Sequence, residues 1–255
     1  MAVEKLYKYL DTSGGLMMLS HHNLQFTNAT KLNDPFDCHP SLIEFSHVPE
    51  ERCKIWSPKD IEDFSSSRFI TRRDRTWICS LSKRFDSLLM WSYYNTHKGI
   101  CIGIDMEKAN QYLSRIYGGV MFGYLNFEVQ YKGIVEKPDY FQNEEDFFSY
   151  QLSTKAKAWE HEQEVRLVII DPSRMIPNTV PKEFDDKEIV DYKEIRFYPP
   201  IGVECFDSIY LGVNIDKDIK EKIIKTAKSL NPNIKIYQMS VDPNAFKLNR
   251  ELINP

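Results

Sequence analysis

The sequence lacks the features that mark secreted, membrane-spanning and disulfide-rich proteins. No apolar run approaches the roughly 20 residues that a membrane-spanning helix needs, and the first residues lack an apolar segment with a cleavage site. The five cysteines are scattered without a C-x-x-C pair, so neither a disulfide framework nor a zinc site is indicated. We therefore expect a cytoplasmic protein with reduced thiols, no bound metal and no membrane partner.

Common nucleotide-binding and hydrolase motifs are also absent. The chain contains no G-x-x-x-x-G-K-[ST], G-x-G-x-x-G, G-x-S-x-G or H-E-x-x-H, so P-loop, Rossmann, α/β-hydrolase and zincin chemistry lack support. The net charge of −4 shows no cationic excess. Wholesale binding of nucleic acid is therefore not indicated, although a local basic site is compatible with this charge.

What the sequence does contain is enough apolar material for a substantial core. Of its 255 residues, 42% are hydrophobic and 13% aromatic, while 27% are charged, which is typical of a globular domain. The length suits one large domain, and we expect a single domain over 1–255 with 216–255 as a C-terminal helix-strand elaboration. Intrinsic disorder is excluded by this composition.

The hydrophobic pattern predicts short strands and helices in an uneven order. Strands are predicted at 6–9 and 16–19, joined by a turn at Ser13–Gly15, and at 77–81, 99–105, 121–133, 164–170, 205–213 and 234–241. Helices are predicted at 87–94, 106–117, 143–159 and 216–230. The last helix lies between two strands and completes a β-α-β-like unit. Strands dispersed among irregularly spaced helices favour the α+β class over a regular doubly wound sheet.

The segment Glu162–Arg166 carries the strongest chemical signal. If a strand begins near Glu162, its two-residue period places Glu162, Glu164 and Arg166 on one face and Val165 on the other. Neighbouring carboxylates raise each other's pKa and an arginine lowers it, so this trio can hold one acid and one base at neutral pH. A Glu–Arg ion pair on a solvated strand face explains the same pattern without chemistry.

Two further groups of residues could bind a ligand. Trp91 and Tyr94 on a short helix could form a wall for a flat ligand, with His97 as a hydrogen-bond donor or general acid/base. The alternative is that the aromatic residues are simply the buried face of that helix. On the first strand, Lys8 alternates with its tyrosine neighbours, Tyr9 among them, so only one of these two sets can face a site.

Five segments stand out by their order and spacing: Leu6–Tyr9, Leu32–Asp37, Cys79–Ser80, Met90–Tyr94 with His97 and Gly99, and Lys155-x-x-x-Trp159-x-x-Glu162-x-Glu164-x-Arg166. Together they resemble a bacterial family, domain of unknown function family 2971, over roughly residues 4–215. That family is similar in layout to the ADP-ribosyltransferase fold, in which a late strand bears E-x-E. The resemblance implies central mixed or antiparallel sheets with peripheral helices.

The resemblance also implies a site and a substrate. NAD would be consumed by a transferase or glycohydrolase, such as a toxin or antiphage effector, with a protein or nucleic-acid acceptor. Glu164 would stabilise the oxocarbenium-like transition state, and Glu162 would orient the acceptor nucleophile. Lys8 or Tyr9 would contact the adenosine side of NAD. His97 is the third catalytic candidate, and Tyr94, Trp91 and Arg166 are the remaining candidates for binding NAD.

A second function class stays open beside the enzyme. The basic segment Arg68–Arg75 and the aromatic helix around Trp91 could engage nucleic acid or a partner protein without catalysis, because arginines bind phosphates and aromatic rings stack on bases. A metal-dependent nuclease that uses Glu162, Glu164 and His97 is the weakest alternative, because those residues lack a convincing third ligand.

Overall fold

The computed structural model describes residues 5–63, 73, 75–117, 125–142, 147–170, 190–191 and 196–253. The helices used below are α1 (Thr12–His21), α2 (Glu50–Cys53), α3 (Leu88–Asn95), α4 (Met106–Tyr117), α5 (Phe147–Ser153) and α6 (Lys217–Leu230). The strands are β1 (Lys5–Leu10), β2 (Phe26–Asn28), β3 (Thr76–Ser82), β4 (Ile100–Asp105), β5 (Leu125–Glu128), β6 (Gln130–Lys132), β7 (Thr154–Ala156), β8 (Glu164–Ile170), β9 (Val190–Asp191), β10 (Arg196–Phe197), β11 (Phe206–Leu211), β12 (Lys235–Val241) and β13 (Leu248–Leu252).

Eleven strands of the described residues form one mixed sheet. Its main strand order is β13-β12-β11-β4-β1-β3-β8-β5. Strand β2 also pairs with β3, at Trp77 and Ile78, and β10 and β9 follow β2 in the sheet. Neighbours in this sheet are antiparallel except β11 and β12, which are parallel and joined by α6. A separate parallel pair, β6 and β7, lies outside the sheet.

The two faces of the sheet differ in what covers them. One face packs against α1, α4 and α6 and forms the largest apolar cluster, which includes Leu19, Ile102, Leu113, Leu167 and Ile223. The other face carries smaller clusters around α3 and α5. Side chains along β8 alternate between the two faces of the sheet. Val165 and Leu167 lie in the large core, so Glu164 and Arg166 point to the second face.

The architecture confirms the predicted α+β class, with a large mixed sheet and several helices. The helix predicted at 106–117 and the strand predicted at 164–170 have the predicted bounds, and the β-α-β unit around α6 is also present. The similarity to the ADP-ribosyltransferase fold stays a prediction. No helix in the described parts of the chain combines the length and apolarity needed to cross a bilayer.

The strand predicted at 16–19 is wrong, because Thr12–His21 is a helix. Asp11 caps this helix by accepting a hydrogen bond from the Gly14 amide at 2.6 Å. A Cβ atom at Gly15 would lie 2.3 Å from Cδ1 of Ile100. Glycine is therefore present here because α1 packs closely onto β4, and the Ser-Gly-Gly sequence does not form the expected turn.

Replacing Asp11 by alanine is expected to lower the free energy of unfolding by about 1 kcal/mol, since the first turn of α1 loses its cap. Urea unfolding measures this loss. Asp11→Asn is the matched control, because its amide oxygen can still accept the bond from the Gly14 amide. Equal losses in the two variants would show that the cap contributes nothing.

The helix predicted at 143–159 is much shorter in the structure. Residues 143–146 lie outside the described residues, and the helix spans Phe147–Ser153. The chain then forms β7 and the 3-10 helix Lys157–Glu162 before it enters β8. The change from helix to strand at Thr154 matters for the site, because it turns Lys155 towards the carboxylates of β8.

Candidate functional site

Five charged side chains from distant parts of the chain form one buried cluster on the second face of the sheet. Asp37 comes from the loop after β2, Lys155 from β7, Glu162 from the end of the 3-10 helix, and Glu164 and Arg166 from β8. Each is at most 5% exposed. We call these five residues the carboxylate cluster.

Arg166 is the most deeply buried member and pairs with two carboxylates. Its Nη2 lies 2.6 Å from Oδ1 of Asp37 and its Nε lies 2.9 Å from Oε1 of Glu164. Nη1 donates to the backbone carbonyl of Leu152 at 2.9 Å. This guanidinium therefore links β8, α5 and the loop after β2, and each of its three nitrogens has a partner.

Lys155 lies between all three carboxylates. Its Nζ is 2.5 Å from Glu162, 3.1 Å from Glu164 and 3.7 Å from Asp37. The same ammonium lies 5.1 Å from the centre of the Trp159 ring, within the range of a cation–π contact. One ammonium thus holds the two glutamates of E-x-E next to each other.

Within the carboxylate cluster three acidic side chains face two basic ones, and Arg73 brings a third cation beside them, since its Nη2 donates to the Asp37 carbonyl at 3.2 Å. Burial opposes ionisation of Glu164, but Arg166 and Lys155 outweigh it and lower the pKa of this carboxyl to about 2. Burial also raises the pKa of Asp37, against the opposing effect of Arg166. Glu164 is therefore a fixed anion at neutral pH, and Asp37 is the member that takes up a proton more readily than an ordinary aspartate.

Aromatic side chains form the rim of the cluster. The hydroxyl of Tyr94 donates to Oε1 of Glu162 at 2.5 Å, although 39% of Tyr94 is exposed. Tyr131 accepts a hydrogen bond from the Glu164 amide at 2.8 Å, and Trp159 is partly exposed over Lys155. Burial and the neighbouring carboxylate of Glu162 raise the pKa of Tyr94, so its hydroxyl stays a proton donor. The rim connects the buried carboxylates with the surface.

Glu162 lies in the cluster from a different element than the strand that the sequence predicted. It is not a strand residue, because the 3-10 helix ends at Glu162 and Gln163 has a φ of 43°. This left-handed residue reverses the chain direction locally, and Ser82 donates to the Glu162 carbonyl at 2.7 Å to fix the turn. The structure brings Glu162, Glu164 and Arg166 together in one buried network. The strand start predicted at Glu162 is wrong, and so is the alternative of an ion pair on a solvated strand face.

Two candidates for the adenosine side of NAD lie outside the cluster. Lys8 projects from the opposite face of the sheet, beside Ile102 and Leu81, and its Nζ donates to the Ser80 carbonyl at 2.9 Å. Tyr9 is on the correct face but is buried at 6% exposure, and its hydroxyl donates to the Arg84 carbonyl at 2.9 Å. The structure therefore does not bring either side chain next to Glu164.

Trp91 and His97 are also separated from the carboxylates. Trp91 is 0% exposed and its Nε1 donates to the Phe85 carbonyl at 2.7 Å, so it belongs to the core and offers no stacking surface. His97 lies over the Trp91 ring at 6.5 Å. It lines a mainly apolar cavity of about 530 Å³ beside the turn after β12. Of the three candidates Trp91, Tyr94 and His97, Tyr94 is the one that contacts the carboxylate cluster, through its hydrogen bond to Glu162.

Asp37 and Lys155 are the cluster members to which the sequence assigned no role. The Lys155 signal is its fixed spacing from Trp159 and Glu162 within the long pattern described above. The sequence did not indicate Asp37 as a site residue, because an Asx turn is a sufficient explanation for an aspartate in such a loop. In the structure it is Asp34 that forms the Asx turn, since its Oδ1 accepts a hydrogen bond from the Phe36 amide at 2.9 Å.

No protein-family model, curated protein or solved structure matches this chain. Among the residues that the structure describes, no group of three or more His, Cys, Asp or Glu side chains is arranged to hold a metal ion. The chemistry of the site is therefore inferred from its own geometry.

Proposed function

We propose that the carboxylate cluster is the catalytic centre of an enzyme that cleaves the bond between nicotinamide and ribose in NAD and transfers ADP-ribose to water or to a protein or nucleic-acid acceptor. The observation that carries this proposal is the pair of buried glutamates, one of them a fixed anion, in a site with an aromatic rim.

A buried carboxylate that stays ionised suits a reaction in which positive charge develops. When the glycosidic bond of NAD breaks, its electron pair goes to the nicotinamide nitrogen and the ribose becomes oxocarbenium-like. Glu164, held ionised by Arg166 and Lys155, supplies a fixed negative charge for that carbon without reorganisation during the reaction. Water or the acceptor then forms the new bond to the ribose carbon and gives its proton to Glu162.

Stability alone does not account for this arrangement. A buried ion pair often contributes no more than apolar residues of the same volume, because desolvation opposes the attraction between the charges. Five buried charges are more costly still, so their presence favours a functional role. Glu162 is connected to the surface through Tyr94, of which 39% is exposed and whose hydroxyl donates to its carboxylate.

Nicotinamide release from NAD by the purified protein, with and without cell extract as a source of acceptor, tests the proposal. Glu162→Gln is expected to lower the rate at least about 100-fold, as removal of a transition-state group typically does. Glu160→Gln is the matched control, because Glu160 is an exposed carboxylate in the same 3-10 helix. Melting temperatures of both variants separate loss of catalysis from loss of fold.

Absence of nicotinamide release by the wild-type protein under both conditions would overturn the proposed activity, as would full activity in Glu162→Gln. The nucleic-acid alternative would then be examined by titration at rising salt concentration. Much of its basic segment, including Arg68 and Arg72, lies outside the described residues. Arg73 is described and donates to the Asp37 carbonyl at 3.2 Å, so it faces the cluster.

A further inference from the structure

A second cluster, unconnected with the proposed reaction, lies on the same face of the sheet near β13. Three rings are stacked there: Phe85 and Tyr210 are 4.4 Å apart with an interplanar angle of 15°, and Tyr210 and Tyr237 are 5.1 Å apart with an angle of 13°. Tyr7 meets Tyr210 edge-on at 5.9 Å. We call Phe85, Tyr210, Tyr237 and Arg250, which lies over them, the arginine platform.

Arg250 is held over the platform by several rings at once. Its guanidinium carbon lies 4.7 Å from the centre of Phe85, 4.9 Å from Tyr237 and 5.9 Å from Tyr210. Nη1 also donates to the Tyr210 hydroxyl at 3.1 Å. A guanidinium held in this way loses little further freedom when it binds a ligand, because its position is already set.

Arg250 is exposed on an edge strand. Within the part of the chain that the structure describes, no carboxylate lies within ion-pair distance of Arg250, and its guanidinium donates to the Tyr210 hydroxyl. One of its five N–H donors is used by Tyr210, and the remaining donors have the fork geometry that matches phosphate and carboxylate oxygens. The positive charge of Arg250 and its remaining N–H donors are therefore suited to an anionic ligand.

A glycine in β4 leaves room for the Tyr7 ring beside the arginine platform. Gly103 of β4 lies opposite Tyr7, and a Cβ atom at Gly103 would come within 3.2 Å of the Tyr7 ring and 2.4 Å of Oγ of Ser208. The absence of a side chain at Gly103 allows the Tyr7 ring to pack against Tyr210.

Arg115 provides a comparison for Arg250. Its guanidinium lies 5.2 Å from one ring, Tyr112, on the other side of the sheet.

We propose that the arginine platform binds a nucleoside phosphate, with the phosphate paired to the free N–H donors of Arg250 and the base stacked on the outer face of its guanidinium. Bases stack on arginine planes as they do on aromatic rings. The phosphate supplies the negative charge that the described residues do not place beside Arg250. This site is distinct from the carboxylate cluster, with which it shares no residue.

Calorimetric titration with AMP at low salt tests the proposal. Wild-type protein is expected to bind AMP, and Arg250→Gln is expected to weaken binding at least about tenfold, because the charge and the fork are lost together. Arg250→Lys should retain only part of the affinity, since lysine keeps the charge without the plane. Arg115→Gln, which removes an exposed arginine from a single ring, is expected to bind AMP as the wild type does.

The parts of AMP are separated with ribose 5-phosphate and adenosine, each expected to bind more weakly than AMP. If AMP does not bind at millimolar concentration, or binds equally well to Arg250→Gln, the platform is not a nucleotide site. If Glu162→Gln abolishes AMP binding while Arg250→Gln does not, the nucleotide occupies the carboxylate cluster and the proposal fails. Loss of AMP binding in Arg250→Gln alone supports the platform whatever the outcome of the NAD assay.

Discussion

Replacing Arg166 by methionine is expected to lower the free energy of unfolding by about 3–5 kcal/mol, the usual cost of removing one partner from a buried ion pair. Methionine fills much of the arginine volume but leaves Asp37 and Glu164 without their shared guanidinium. Both carboxylates are at most 4% exposed, so water cannot replace the lost hydrogen bonds. Urea unfolding at pH 7 measures the change.

An exposed arginine provides the matched control for this variant. Nε of Arg84 lies 2.8 Å from Oδ1 of Asp86, but their side chains are 48% and 35% exposed. Arg84→Met is therefore expected to lose less than about 1 kcal/mol. The double variant Arg166→Met/Glu164→Gln should recover part of the loss, because one unpaired carboxylate is removed with its partner. A loss below about 1 kcal/mol in Arg166→Met would contradict the description of the cluster as a tightly coupled unit.

Local patterns were sufficient to predict much of the fold and one part of the site. The two-residue period of β8 placed Glu164 and Arg166 together and turned Leu167 to the core, as the structure has them. This worked because strand alternation is a property of neighbouring residues. The partners from elsewhere in the chain could not be found in that way, since 129 residues separate Asp37 from Arg166.

The failures have the same physical origin, which is packing between distant segments. The Ser-Gly-Gly sequence was interpreted as a turn, yet Gly15 is required by the approach of α1 to Ile100. The family resemblance implied that Lys8 or Tyr9 contacts NAD, whereas strand pairing puts Lys8 on the face opposite to Glu164. The pairing of β1 with β3 decides which face carries the site, and that pairing is invisible in either strand by itself.

Acidification is expected to destabilise the protein between about pH 4.5 and pH 2 through Glu164, whose pKa falls from 4.5 to about 2 in the folded protein. Burial works against this shift, and the nearby charges of Arg166 and Lys155 produce it. Below pH 4.5 the unfolded chain binds a proton at Glu164 while the folded protein does not, so protonation drives unfolding. The stabilisation is complete above this range and is lost as the pH approaches 2.

Asp37 is expected to act with the opposite sign. Burial raises its pKa above the ordinary value of 3.8, despite the attraction of Arg166. The folded protein therefore binds this proton at a higher pH than the unfolded chain does, and the fold gains stability as the pH falls through that range. Glu164→Gln should flatten the loss of stability in acid, whereas Asp37→Asn should make it steeper.

Urea unfolding of the wild type and the two isosteric variants, from pH 7 to pH 2.5 at constant ionic strength, measures these slopes. Asp139→Asn is the control for an unrelated carboxylate, since burial opposes but backbone hydrogen bonds from His47 and Ser46 lower the pKa of Asp139. It should flatten the profile without changing the effect of Glu164→Gln, because separate sites add. If Glu164→Gln keeps the wild-type slope, Glu164 is not the fixed anion on which the proposed NAD chemistry depends.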